Sequence, residues 1–162
     1  QDVIKVFYEI QKEIPSKLLM VGDGPERMNA ENLVTELGIA DKVIFLGNSN
    51  EVAKILCYTD VFLLPSETES FGLAALEAMA ASSAVISTNT GGLPEVNIHG
   101  KTGYLSDLGA ISDMAKNAIS ILKDDAILET FKANAKAHTK MFSLENILPV
   151  YEDLYKSCAV SA

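Results

Sequence analysis

This 162-residue chain is poor in cysteine, histidine and basic side chains, and each shortage removes a class of function. Cys57 and Cys158 stand at no metal-ligand spacing, in a chain too large to need disulfide staples, which fits a reducing compartment such as the cytoplasm. His99 sits in a Gly-bounded loop and His138 near a helix end, neither with a Ser, Cys or Asp constellation around it. Both read as surface histidines rather than bases, and no metal-ligand cluster is visible. The 13 Lys and Arg are scattered and outnumbered by 22 Asp and Glu, a net charge of −9 that argues against a nucleic-acid partner. No apolar run approaches the roughly 20 residues of a membrane span, and no basic stretch precedes an apolar one at the start. A soluble domain follows, in which an anionic ligand must be held by local devices such as backbone N–H groups at a helix start.

What is present is apolar content, 48% of residues, enough for one compact domain over residues 1–162. Short apolar runs recur as KLLMVG (17–22), VIFLG (43–47), VFLLP (61–65), AVIST (84–88) and a weaker GYLS (103–106). Helical patterns near 26–37, 49–58 and 72–82 separate them. Such alternation predicts a Rossmann-like α/β fold, a parallel sheet covered by helices on both faces. Gly38 reads as a helix stop, Pro25 as a first helical position and Gly91-Gly92 as loop punctuation. After residue 109 only helices are expected, near 110–123, 125–138 and 144–157. Ser143 is a candidate N-cap for the last, and Pro149 inside it predicts a late start or a kink. Val3, Ile4, Phe7, Ile10 and Ile14 place the opening residues in a helix, so a preceding strand is expected before residue 1. No repeat or linker is evident.

Ligands of open α/β sheets bind beyond the carboxyl ends of the strands. In LLMVGDGPERM, Gly22 and Gly24 precede a helix, but Arg27 stands where a dinucleotide fingerprint needs glycine, so a plain tight turn and a ligand-facing turn stay open. HGKTG fails as a phosphate loop because Glu95 occupies the required glycine position. The stretch PSETESFG is richer: it ends in Gly72 at a helix start, where the N–H groups of about Phe71 to Ala74 are expected to be unpaired and to favour an anion. LAALEAMAAS beyond it reads as apolar all round and therefore buried, yet carries Glu77. A buried carboxylate needs a partner, either a protein donor or ligand hydroxyls. With Glu69 near the same helix start, two carboxylates flank a ring of donors, an arrangement suited to a phosphorylated, hydroxylated ligand.

VFLLPSETESFGLAALEAMA, with MVGDGPER and VIFLG before it and NTGGLPEV and HGKTGYL behind it, resembles the C-terminal, nucleotide-sugar-binding half of retaining family 4 glycosyltransferases of the GT-B fold. Glu69 and Glu77 match that family's glutamate pair. The resemblance implies that Glu69, at the catalytic centre, binds donor-sugar hydroxyls and Glu77 the ribose. It implies that backbone N–H groups of Ser70, Phe71, Gly72 and Leu73 hold the diphosphate. The loop at Gly47 and Asn48 would lie beside the base, and Gly22 and Gly24 would line the cleft. The donor would be a UDP-sugar, with no cofactor or metal, and a donor phosphate oxygen would take the acceptor's proton. HGKTGYLSD and FSLENILPVYEDLY resemble the branch that opens bacillithiol synthesis by moving N-acetylglucosamine from UDP to L-malate.

Two departures accompany the resemblance. Ala81-Ser82-Ser83-Ala84 replaces the family's Cys-Gly-x-Pro, so a serine is expected at a left-handed helix cap, a cost of about 1 kcal/mol. The family's first strand of this half, its diphosphate-binding Arg and Lys, and its acceptor domain would all precede residue 1. The fragment is therefore expected to be inactive alone and to bind donor weakly, with a homo-oligomer left open. Alternatives are a family 4 transferase for a glycolipid or surface polysaccharide, or a non-catalytic flavodoxin-like or receiver-type domain. The LLMVGDGPER turn lacks a receiver's acidic cluster, which counts against the last.

Overall fold

The computed structural model describes residues 1–159; the last three positions of the expected 1–162 domain lie outside the described residues. Five strands form where the apolar runs lie: β1 (Leu18–Val21), β2 (Val43–Gly47), β3 (Val61–Leu64), β4 (Ala84–Thr88) and β5 (Gly103–Ser106). Around them run α1 (Asp2–Glu13), α2 (Arg27–Glu36), α3 (Val52–Leu56), α4 (Leu73–Ala80), α5 (Leu93–Val96), α6 (Ile111–Leu122), α7 (Asp125–Thr139) and α8 (Leu144–Ala159). All strand pairings are parallel. Among the described residues no helix is long and apolar enough to cross a membrane.

The sheet departs from the expected single layer: β1 pairs only with β2, while β3, β4 and β5 form a separate piece in that order. Helix α1 lies against both. Ile4 and Phe7 pack with Leu18, Met20 and Val43, whereas Val6 and Ile10 pack with Ala84, Ile86 and Leu63. The expectation that both faces are covered holds for β4, buried at every residue, and fails for β1–β2. There Leu19, Val21, Ile44 and Leu46 are 37–45% exposed, because α1 and α2 cover only one face. Apolar alternation in a four-residue strand cannot reveal whether the second face has a cover.

Other boundaries moved for local reasons. Helix α2 begins at Arg27, so Pro25 sits in the preceding turn rather than at the first helical position. The segment 49–58 yields only α3, and α5 forms directly after Gly92, where only a loop was expected. A 3₁₀ turn, Lys140–Phe142, joins α7 to α8. Helix α8 runs through Pro149 from Leu144 without the expected late start, and the Ser143 carbonyl accepts from the Asn146 and Ile147 N–H groups. Every side chain of α8 from 144 to 158 is exposed, apolar ones included.

A buried asparagine ties the sheet's centre. Asn97, fully inaccessible, donates from Nδ2 toward the carbonyls of Val85 and Tyr104 and the Ser87 hydroxyl, and its Oδ1 accepts from Thr102. Satisfied polar groups of this kind add specificity without the desolvation cost of an orphan.

Helices α2 and α4 end alike. Gly38 N–H donates to Thr35 and Ile39 N–H to Val34; Ser82 N–H donates to Met79 and Ser83 N–H to Ala78. Each is a paired 6→1 and 5→2 cap that needs a left-handed residue. Gly38 supplies it at φ 68°, and Ser82 adopts φ 67°, as expected from the Ala-Ser-Ser-Ala departure. Replacing Ser82 with glycine is therefore expected to stabilise the domain by about 0.5–1 kcal/mol, offset in part by a more flexible unfolded chain. Urea denaturation of the two proteins measures it.

Candidate functional site

The loop from β3 to α4 is shaped by the loop from β4 to α5. Thr88 and Thr90 hydroxyls both donate to the Ser66 carbonyl, at 2.6 and 3.1 Å. The Gly92 N–H donates to the Glu69 carbonyl at 3.2 Å. At Gly91, φ is 54° and a Cβ would lie 1.7 Å from the Glu69 carbonyl oxygen, so no side chain fits. At Gly92 a Cβ would come within 2.6 Å of the Ser70 carbonyl oxygen. The two loops are locked backbone to backbone, and Thr88, Thr90, Gly91 and Gly92 escaped the sequence reading as site-building residues. The punctuation signal at Gly91-Gly92 was visible, but its reason, close approach to Glu69, is tertiary.

Within the loop, Glu69 is half-buried and its Oε1 accepts from the Gly72 N–H at 3.2 Å, across a turn that Gly72 completes at φ 98°. One expected donor is thus already engaged, because a carboxylate three residues back reaches it. The N–H groups of Phe71, Leu73 and Ala74 have no acceptor among the described residues, leaving an anion-favouring start to α4. Ser70, Phe71 and Leu73 are exposed and Gly72 is buried under Leu93.

Glu77 corrects an expectation. Helix α4 is not buried all round: Ala75, Ala78 and Met79 face the core, while Leu73, Ala74, Glu77 and Ala80 form an open stripe. Glu77 is exposed, and its carboxylate has no hydrogen-bond or ion-pair partner among the described residues, so the inference from burial to partner falls. Alanines are indifferent to burial, and so the composition of LAALEAMA did not reveal its solvent face. What remains is position: Glu77 lies one turn from Leu73, on the stripe that begins at the unpaired N–H groups.

The other candidate residues form a separate lip. Gly22, Gly24 and Asn48 are exposed, and the Gly22 N–H donates to the Gly47 carbonyl at 2.8 Å. Arg27, from the same turn, reaches over Gly47, bridging Asp23 at 3.3 Å and Glu31 at 2.9 Å. The hydrogen bond to Glu31 raises its pKa above the ordinary arginine value, against some desolvation, and the Asp23 charge adds to this. Its charge is thus neutralised in place. Between the lips lies a cleft of about 540 Å³ lined by the start of α1, Glu26 and residues 63–67. Asp2, Glu26 and Glu67 line it, and its one lining cationic side chain, Lys5, pairs with Asp2 at 3.0 Å. Gly22 and Gly24 line a smaller hollow that shares Gln1 and Glu26 with the cleft. Glu69 to Glu77 stand beyond the cleft's lining. The arrangement offers backbone donors for an anion, carboxylates for hydroxyls, and no free cationic side chain among the described residues lining the cleft. Of the two histidines read as surface groups, His99 accepts from the Leu105 N–H through Nδ1, and His138 is half-buried, with its Nε2 enclosed.

Residues 1–138 match the family model described as glycosyl transferases group 1. The chain is 44% identical over 156 residues to N-acetyl-alpha-D-glucosaminyl L-malate synthase of Bacillus anthracis, covering 96% of this chain and 41% of that protein. It superposes on sucrose-phosphate synthase from Thermosynechococcus elongatus with a TM-score of 0.85 at 30% identity, over 98% of this chain and 43% of that one. Anabaena HepE in complex with UDP and glucose gives 0.84 at 25% identity, over 96% of this chain and 44% of that one. The chain thus spans about two fifths of the length of these relatives.

The loop interlock makes a direct prediction. Gly91→Ala is expected to destabilise by about 2 kcal/mol or more, since two backbones must separate. Amide resonances from Ser66 to Leu73 should shift with it; an unchanged loop would show that the contact does not shape it.

Proposed function

The chain belongs to the group 1 glycosyl transferases, and from that premise we propose that it is the nucleotide-sugar-binding half of a retaining enzyme that transfers N-acetylglucosamine from UDP to L-malate. The observation that carries the donor site is the locked turn at Glu69–Gly72 with free N–H groups at Phe71, Leu73 and Ala74. The 44% identity to the malate synthase supports the sugar and the acceptor. A solved relative holding UDP and glucose supports the nucleotide.

In this reading the diphosphate lies against the start of α4, where N–H groups and the helix dipole offset its charge. Glu69, with Oε1 held by Gly72, accepts sugar hydroxyls through its remaining lone pairs. Glu77 accepts from the ribose on the open stripe of α4, and Gly22, Gly24 and Asn48 border the base side. In transfer, the bond from sugar C1 to the diphosphate oxygen breaks and one to the malate hydroxyl oxygen forms. The hydroxyl proton passes to a donor phosphate oxygen, so no side-chain base is required and the configuration at C1 is retained. No cofactor or metal enters, and the reaction belongs in the cytoplasm.

The whole protein proposed here is longer than this chain, which spans 41% of the malate synthase. Helices α1 and α2 cover the same face of β1–β2, and crossovers between parallel strands are right-handed. A strand leading into α1 would therefore pair with the edge of β1 opposite β2, filling the division between the two sheet pieces beside the acidic cleft. Cations on such a strand, and an acceptor domain against the exposed apolar side chains of α8, complete the proposal.

Two results check it. Titration of this chain with UDP-N-acetylglucosamine should give an affinity weaker than micromolar, and Glu77→Gln should weaken it further without altering folding; micromolar binding would contradict the need for further cations, and binding indifferent to Glu77→Gln would contradict the ribose assignment. The full-length protein should convert UDP-N-acetylglucosamine and L-malate to UDP and a glucosaminyl malate seen by mass spectrometry. Transfer to a lipid acceptor and not to malate would reassign the acceptor.

A further inference from the structure

Three aromatic rings run from the end of α7 to the phosphate-facing turn. His138, in the last turn of α7, lies 5.5 Å from Phe142 at 77°, and Phe142 lies 5.8 Å from Phe71 at 75°. Both are edge-to-face geometries, worth more than their burial alone. Phe142 packs into the cluster of Ala75, Met79, Leu93 and Ala135, and Leu93 is the side chain that closes over Gly72. Phe71 is exposed and sits at the head of α4, next to the unpaired N–H groups. Among the described residues the buried His138 Nε2 has no hydrogen-bond partner, which carries a desolvation cost.

The Phe71 backbone is held closely by Gly92, where a Cβ would lie 2.8 Å from the Phe71 Cα, while its side chain is exposed at the head of α4. Its loop is anchored at Ser66 and Glu69 by the turn after β4, and Gly72 just beyond is buried with its N–H held by Glu69 Oε1. The rings reach Phe71 through Phe142, in the 3₁₀ turn that joins α7 to α8. Helix α8 packs chiefly against that turn.

We infer that Phe142 and His138 are positioning residues for the donor site: their edge-to-face rings hold the Phe71 side chain, and with it the direction of the N–H groups that receive the diphosphate. The inference rests on the proposed donor site. It also links the site to the joint from which α8 departs, so that a displacement of α8 is transmitted to the turn through a single aromatic side chain.

Hydrogen exchange and UDP titration of wild type, His138→Ala and His138→Phe separate the possibilities. His138→Ala should raise amide exchange locally at 70–74 and weaken UDP binding by about two- to tenfold, the range an aromatic pair supports. His138→Phe, which keeps a ring and removes the orphaned nitrogen, should restore both and match or exceed wild-type stability in urea. Unchanged exchange at 70–74 in His138→Ala, or a rise spread evenly over the whole chain, would overturn the positioning role. Failure of wild type to bind UDP, with the local rise in exchange intact, would overturn the donor-site reading and support the ring contact as the element that orders the turn.

Discussion

Everything proposed for this domain depends on one close contact: the Glu69 carbonyl oxygen occupies the space a side chain on Gly91 would need. That contact lets the turn after β4 press against the turn after β3, where Thr88 and Thr90 take up the Ser66 carbonyl and Gly92 the Glu69 carbonyl. The β3–α4 loop is thereby given a fixed shape before any ligand arrives. Its carboxylate, Glu69, is turned back onto Gly72, and the first N–H groups of α4 are left facing outward. Preorganised donors of this kind favour an anion without reorganising to receive it, which is what a departing diphosphate requires.

The electrostatic setting makes that local device necessary. A net charge of −9 and a cleft bordered by Asp2, Glu26 and Glu67 repel a nucleotide sugar at long range. Lys5 is committed to Asp2, and Arg27 to Asp23 and Glu31. In the proposed donor site, backbone dipoles at the start of α4 are what this chain offers to offset a diphosphate. Exposed apolar rows also lie on β1–β2 and on α8.

Strand positions were legible in the sequence because each buried run is short, apolar and bounded by turn residues. The left-handed Ser82 was legible for a similar reason, since a helix end there lacks the glycine its geometry prefers. Helix α5 was not, because four residues containing Pro94 carry no periodicity. Glu77 was misread in one respect and placed correctly in another. Its helix and spacing from Glu69 were evident, but alanine-rich sequence does not distinguish a solvent stripe from a core face, so its supposed burial was an artefact of composition. The interlock of residues 66–72 with 88–92 was invisible, being a matter of two backbones meeting in space. Of the proposed donor site, the carboxylates and the helix start could be read directly; the residues that shape them could not.

Amide chemical shifts on addition of millimolar UDP test the donor site most directly. Perturbation concentrated at Ser70 to Ala74 and at Glu77, and lost in Gly91→Ala, is the expected result. Perturbation confined to residues remote from the start of α4, or none at all, would contradict it.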